Sequence, residues 1–186
     1  LNNKTRPTSS KVREAIINIL GKKLEGSSWL DLCSGSGAMA CEALQHGPKR
    51  VLAIENQRVT AKICKKNLID VSNNMDHSIH VEVICNELIS FLKKGPKNKT
   101  IGFTKDSLSR DTKFDFVFLD PPYESGLYEL SQELLLSKQW VKESTTLICE
   151  CSSKSMPRIH NGWKLNKEKF YGNTSLLFLI PNQASN

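Results

Sequence analysis

Apolar side chains recur along this chain in two periods. Val12, Ala15, Ile16, Ile19 and Leu20 fall at helical spacing, with Ser9 or Ser10 available as N-cap and Gly21 as stop, which predicts an amphipathic first helix. An apolar run at 29–32 meets Ser34-Gly35-Ser36-Gly37 and passes into a helical stretch ending at Gly47-Pro48, so the order is strand, glycine turn, helix. Residues 50–55 read as a second buried strand, 59–69 as a helix, and the alternation of Ile79, Val81, Val83 and Cys85 as a third strand. Another helix begins at Glu87. Residues 114–119 form a continuous apolar strand, followed by a helix near 128–136 and a strand near 145–151.

Alternating strands and helices imply an α/β fold, a mostly parallel sheet with helices on both faces and ligands beyond the carboxyl ends of its strands. The tail departs from that rule. Residues 163–170 and 175–180 are separated by Gly172-Asn173, which predicts an antiparallel hairpin at the sheet edge. The segment 94–113 holds Gly95, Pro96, Asn98 and Gly102 and is expected to be an exposed loop insertion. The 186 residues fit one domain, and they contain no internal repeat.

Composition narrows the class. No apolar run approaches the roughly 20 residues needed to span a bilayer, and the opening Leu1-Asn2-Asn3-Lys4 is not of signal-peptide type. Lys and Arg number 26 against 19 acids, a net charge of +7, so the field attracts polyanions and makes a nucleic acid a candidate partner. The six cysteines form no C-x-x-C pair and lie in apolar or helical segments, the pattern of small buried hydrophobes in a reducing cytoplasm. Cys149 and Cys151 face one side of a strand, but no His or Cys motif accompanies them, and no metal is expected.

Two motifs carry chemistry. In Asp31-Leu32-Cys33-Ser34-Gly35-Ser36-Gly37 a carboxylate ends a strand and glycines stand where the backbone turns sharply and approaches a ligand. Asp31, Cys33, Ser34, Gly35 and Gly37 are therefore candidate cofactor contacts. Glu55, at the tip of the next strand, is placed to accept hydrogen bonds from ribose hydroxyls, and Glu87, with Asn86 beside it, is the candidate adenine contact. Gly35, Gly37 and Ala40 also satisfy the dinucleotide fingerprint, so a nicotinamide or flavin remains a rival. A nearby acid such as Asp31 suits a sulfonium nucleoside with an amino-acid tail better than a pyrophosphate.

Asp120-Pro121-Pro122-Tyr123 follows the apolar strand and is delivered to the same sheet edge. The exocyclic amine of a base is a poor nucleophile because its lone pair is delocalised into the ring. The Asp120 carboxylate and the Pro121 carbonyl together can bind both amine hydrogens and favour the pyramidal, nucleophilic form. Pro121 and Pro122 remove backbone donors and fix the turn. Tyr123 can stack on a base that is flipped or single-stranded.

With these residues the chain resembles the bacterial RsmD family of small-subunit ribosomal RNA guanine-N2 methyltransferases. The resemblance rests on Arg6-Pro7-Thr8 with Val12-Arg13-Glu14-Ala15 and Asn18-Ile19-Leu20, the 31–37 loop with Glu42-Ala43-Leu44, Glu55, Asn67, Asp120-Pro121-Pro122-Tyr123 and Tyr171-Gly172-Asn173-Thr174. It implies a Rossmann-like class I methyltransferase fold with a seven-stranded sheet, S-adenosylmethionine as cofactor, and 16S rRNA or the small ribosomal subunit as partner of a cytoplasmic monomer. The Asp-Pro-Pro-Tyr motif is shared with DNA adenine-N6 methyltransferases, which stand as the alternative reading beside a non-catalytic RNA-binding or ribosome assembly factor that retains the fold. Ser10 stands where the family often has Asp, and Ile17 where it has Phe. Arg6, Lys11 and Arg13 are the candidate RNA phosphate contacts in the 1–21 region, and the basic 93–113 segment is a further candidate.

Overall fold

The computed structural model of the chain describes residues 8–75, 79–97, 112–122 and 126–182. Seven strands form one sheet: β1 (Ser28–Leu32), β2 (Arg50–Glu55), β3 (His80–Cys85), β4 (Phe114–Leu119), β5 (Val141–Ser152), β6 (Trp163–Tyr171) and β7 (Thr174–Pro181). Their spatial order is β3-β2-β1-β4-β5-β7-β6, with β1 to β5 parallel and β7 antiparallel to both β5 and β6. The described α-helices are α1 (Ser10–Leu20), α2 (Ala38–Leu44), α3 (Arg58–Ser72), α4 (Leu88–Lys94) and α5 (Leu127–Ser137), and a 3-10 turn at Gly21–Leu24 follows α1.

Local chemistry explains where these elements begin. The Ser9 hydroxyl accepts from the Val12 amide at 3.3 Å and caps α1, while Gly21, at φ 54, ends the helix by donating to the Ile17 carbonyl. Alternation then divides the core into two layers. Val12, Ile16, Ile17 and Leu20 of α1 pack with α2, α3, Trp29, Phe116, Phe118, Ile148, Leu176 and Phe178 on one face. Leu30, Leu32, Val117, Leu119, Cys149 and Leu177 face α4 and α5 on the other, where Phe91 lies 4.7 Å from Trp140 between ring centres.

The strand β5 begins at Val141, earlier than the expected 145, because a tertiary contact outweighs local polarity. The Lys142 ammonium donates to Asp115 Oδ1 at 2.8 Å, and the other oxygen of Asp115 accepts from the Ser28 amide at 2.9 Å and hydroxyl at 2.7 Å. Burial raises the Asp115 pKa, but Lys142 and Ser28 outweigh it and hold the carboxyl below its usual range. The pairing fastens β1, β4 and β5 at the amino end of the sheet.

Two expectations are corrected. The 94–113 segment is not wholly exposed: Gly95 and Pro96 are buried, and the Lys113 carbonyl accepts from Arg50 across the start of β4, whereas residues 98–111 lie outside the described set. The cysteines are not uniformly buried either, since Cys85 at the end of β3 is exposed. That strand is the outer edge of the sheet, with no further strand beyond it among the described residues.

Candidate functional site

Because β1 to β5 are parallel, their carboxyl ends share one edge. Register sets Leu32 beside Ile54 and Leu119, Glu55 beside Cys85, and Leu119 beside Cys149. Cys33, Glu55, Asn86, Asp120 and Glu150 consequently line that edge. Chain order reverses between β1 and β4, the switch point at which such sheets open a crevice.

The glycine loop is held from several sides. Ser34 donates from its amide to the Ile54 carbonyl at 2.8 Å, the Gly37 amide donates to the Ser34 carbonyl at 2.8 Å, and Asn67 Nδ2 donates to the Ser36 carbonyl at 3.0 Å. Glu55 is buried and accepts from the Gly35 amide at 2.9 Å and the Gln57 amide at 2.8 Å. Cys33 adopts φ 67, a left-handed conformation that costs a non-glycine residue about 1–3 kcal/mol. The loop thus stores strain beside the switch point, held in place by its hydrogen bonds.

Asp31 is 1% exposed, and neither carboxylate oxygen receives a hydrogen bond of normal geometry. Burial raises its pKa well above the usual range; the nearby Ala40 amide opposes this without making a hydrogen bond of normal geometry, and the Glu55 charge reinforces it. A buried acid left this way costs free energy unless something cationic or hydrogen-donating meets it.

Asp120 stands on the same face of the sheet as Asp31, the face covered by α1 and α2. Its pKa is also raised well above the ordinary range, first by burial, then by the charges of Glu150 and Asp31, against a weak donation from Thr8 Oγ1 to Asp120 Oδ2 at 3.4 Å. Pro121 is buried and Pro122 exposed, while Tyr123 lies outside the described residues. Tyr128 of α5 donates its hydroxyl to the Glu150 carbonyl, tying the helix after this turn to β5.

The remaining candidates are more scattered. Asn86 Oδ1 accepts from the Glu87 amide at 2.9 Å, and Glu87 caps α4, accepting from the Ile89 and Ser90 amides at 3.0 and 2.7 Å. Burial pushes the Glu87 pKa up, but those amides, with the Ser90 hydroxyl and the Lys93 charge, together outweigh it and lower the pKa. Arg13 donates to the Thr8 carbonyl at 2.6 Å and pairs with Glu42 at 3.6 Å, so its guanidinium is engaged within the protein. Lys11 is exposed, and Arg6 lies outside the described residues.

Burial pushes the Cys41 thiol up to about 11 and the Cys64 and Cys151 thiols up to about 12, which leaves them protonated and poorly nucleophilic at neutral pH. Among the described residues no group of His, Cys, Asp or Glu is arranged to hold a metal ion. The sequence pattern assigns no role to Thr8, Asn67 or Glu150. A lone acid inside the apolar run Leu147-Ile148-Cys149-Glu150-Cys151 is the available signal for Glu150.

A twisted, mostly parallel sheet with a glycine loop after β1, an acid closing β2, an acid-proline turn after β4 and an antiparallel β6–β7 hairpin defines the class I methyltransferase fold. The comparisons agree. A conserved hypothetical protein of Streptococcus pyogenes superposes with a TM-score of 0.71 at 27% identity, covering 92% of this chain and 96% of that one. An RNA methyltransferase from Salinibacter ruber, solved with S-adenosyl-L-homocysteine, shares the fold with a TM-score of 0.66 at 14% identity, covering 96% of each chain. The ribosomal RNA small subunit methyltransferase D of Haemophilus influenzae is 33% identical over 90% of this chain and 78% of its own length. Residues 1–180 match the family model described as conserved hypothetical protein 95, and the chain belongs to this family, the RsmD family.

Proposed function

We propose that this protein transfers the methyl group of S-adenosylmethionine to the exocyclic N2 amine of a guanine in small-subunit ribosomal RNA. One juxtaposition carries the reading: the unsatisfied carboxylate of Asp31 and the carboxyl of Asp120 share one face at the ends of adjacent strands. The names of the curated relatives support ribosomal RNA as the substrate.

The residues present fit the cofactor. Asp31 complements a cationic amino-acid tail and sulfonium, and the glycine loop leaves open space where a Cβ on Gly35 would stand. Each Glu55 oxygen holds one amide and keeps lone-pair capacity for a ribose hydroxyl. Asn86 and Glu87 stand at the adjoining strand end as the candidate adenine contacts. When bound, the cofactor supplies an electrophilic methyl group.

The protein does the rest through its own groups. Asp120 and the Pro121 carbonyl accept the two amine hydrogens and localise the nitrogen lone pair toward the methyl group. The raised pKa of Asp120 suits it to take the proton that the methylated nitrogen releases. Proline at both following positions keeps backbone donors out of the acceptor pocket, and Tyr123 stacks on the extruded base. Thr8, just ahead of the cap of α1, steadies the Asp120 carboxylate.

The test is incubation with methyl-labelled cofactor and small-subunit rRNA or subunits, then nucleoside digestion and mass spectrometry. Label in N2-methylguanosine is expected. Label confined to N6-methyladenine of DNA, or no transfer to rRNA, would overturn the reading.

A further inference from the structure

The edge strand β6 carries lysines at 164, 167 and 169, a spacing that strict alternation would split between the two faces of the sheet. The structure does not split them. Trp163 and Leu165 pair with Pro181 and Leu179, but the register shifts at a bulge between Leu165 and Lys167, after which Lys167 and Lys169 pair with Phe178 and Leu176. Leu176 and Phe178 belong to the core beneath α1 and α2, the face of Asp31 and Asp120. Lys164, opposite Ile180, lies on that face already. The bulge therefore gathers all three lysines on the catalytic face and turns Glu168, opposite Leu177, to the other. Its charge is felt there by the Cys151 thiol.

All three lysines are exposed, and among the described residues none forms a salt bridge. Lys169 stands level with the site: it pairs with Leu176, which pairs with Glu150, the residue alongside Asp120. Three strand spacings of about 4.8 Å put Lys169 roughly 14 Å from Asp120 across the sheet. From Lys169 to Lys164 the row runs away from the carboxyl edge for roughly 13 Å at about 3.3 Å per residue.

We propose that the bulged strand β6 is a rail for the RNA strand flanking the target base, with Lys164, Lys167 and Lys169 neutralising successive phosphates of a single-stranded or loop segment. The proposal rests on the reading of RNA as substrate. Lysines also guard exposed sheet edges against pairing with other chains. That duty needs charge on the strand; it does not need the charges collected on one face with the acid turned away.

The test uses the full chain and a transcribed small-subunit rRNA fragment, with binding measured across a salt series. In the triple variant K164A/K167A/K169A, the slope of log affinity against log salt should fall in magnitude by about 2, taking about 0.7 for each phosphate of a single strand that is no longer neutralised. The KM for RNA should rise while kcat and calorimetric S-adenosylmethionine binding stay near wild type. Glu168→Lys, which adds charge on the opposite face, should leave RNA affinity unchanged. If the wild-type chain methylates the fragment and the triple variant binds it with the same affinity and slope, the rail is refuted and the function stands. Self-association of the variant with unaltered RNA binding would assign the lysines to edge protection, and a gain in affinity for Glu168→Lys matching the loss in the triple variant would reduce the effect to net charge. A wild-type chain that binds no RNA would remove both proposals.

Discussion

Gly37 offers the sharpest test of how the cofactor loop is built. It sits at φ +83, and a Cβ placed there would meet Cys64 Sγ at 2.8 Å and Cys64 Cα at 3.6 Å. Forcing an L side chain into the left-handed region costs about 1–2 kcal/mol. Driving a methyl group into the buried Cys64 side chain adds about 1–3 kcal/mol. Gly37→Ala should therefore lose about 2–5 kcal/mol. Gly35, at φ +55, has nothing within 4 Å of its would-be Cβ, so Gly35→Ala should lose only the conformational part, about 1–2 kcal/mol. Urea unfolding followed by the fluorescence of the buried Trp29, Trp140 and Trp163 measures both. Cys64→Ala in the Gly37→Ala background removes the clashing sulfur and should recover part of the loss, a favourable coupling in the double-mutant cycle. If Gly37→Ala is as stable as Gly35→Ala, or if Cys64→Ala deepens its loss additively, the packing argument is wrong. In calorimetry the pattern should invert, with Gly35→Ala losing S-adenosylmethionine affinity although it folds well, because its new methyl projects into the open space offered to the ligand.

Asp120→Asn should raise the melting temperature at neutral pH while lowering kcat on the order of 10² to 10³-fold, the scale for one lost electrostatic group. The sign follows from the raised folded-state pKa: the buried carboxyl favours folding below its unfolded pKa, and that contribution is lost as pH rises through the folded value. A pH-stability profile in which the variant gains nothing at neutral pH would contradict it. Thr8→Val removes the donation that lowers the Asp120 pKa, so the acid limb of the pH–rate profile should move to higher pH; an unmoved limb would show the contact to be idle. Glu87→Ala should cost about 1 kcal/mol in chemical denaturation through loss of the α4 cap, a contribution present above the unfolded Glu pKa and lost as pH falls through its lowered value. Unchanged stability with weakened cofactor binding would assign Glu87 to the ligand alone.

Much of the fold was legible because it is written locally. The amphipathic period of α1 reports which of its faces is buried, and the continuous apolar run of β4 reports a strand covered on both faces, whatever the neighbour. The glycine loop and the Asp120-Pro121-Pro122 turn were legible for a related reason. Tight backbone geometry and missing donors restrict the residue types at those positions. The start of β5 was hidden because Lys142 is stable in a strand only through Asp115, which is 27 positions away.

The sequence alone determined the elements, their periods, the glycine loop and an acceptor turn suited to an amine. Tertiary structure alone decided which of these meet. Thr8 reaches Asp120 across 112 residues, and Glu150 comes to lie beside Asp120 only because β4 and β5 are neighbours in the order β3-β2-β1-β4-β5-β7-β6. The lysines of β6 illustrate the physical reason. One unpaired residue in the ladder reverses the face of every side chain after it, and ladder register is set by packing between distant segments, so no local pattern records it.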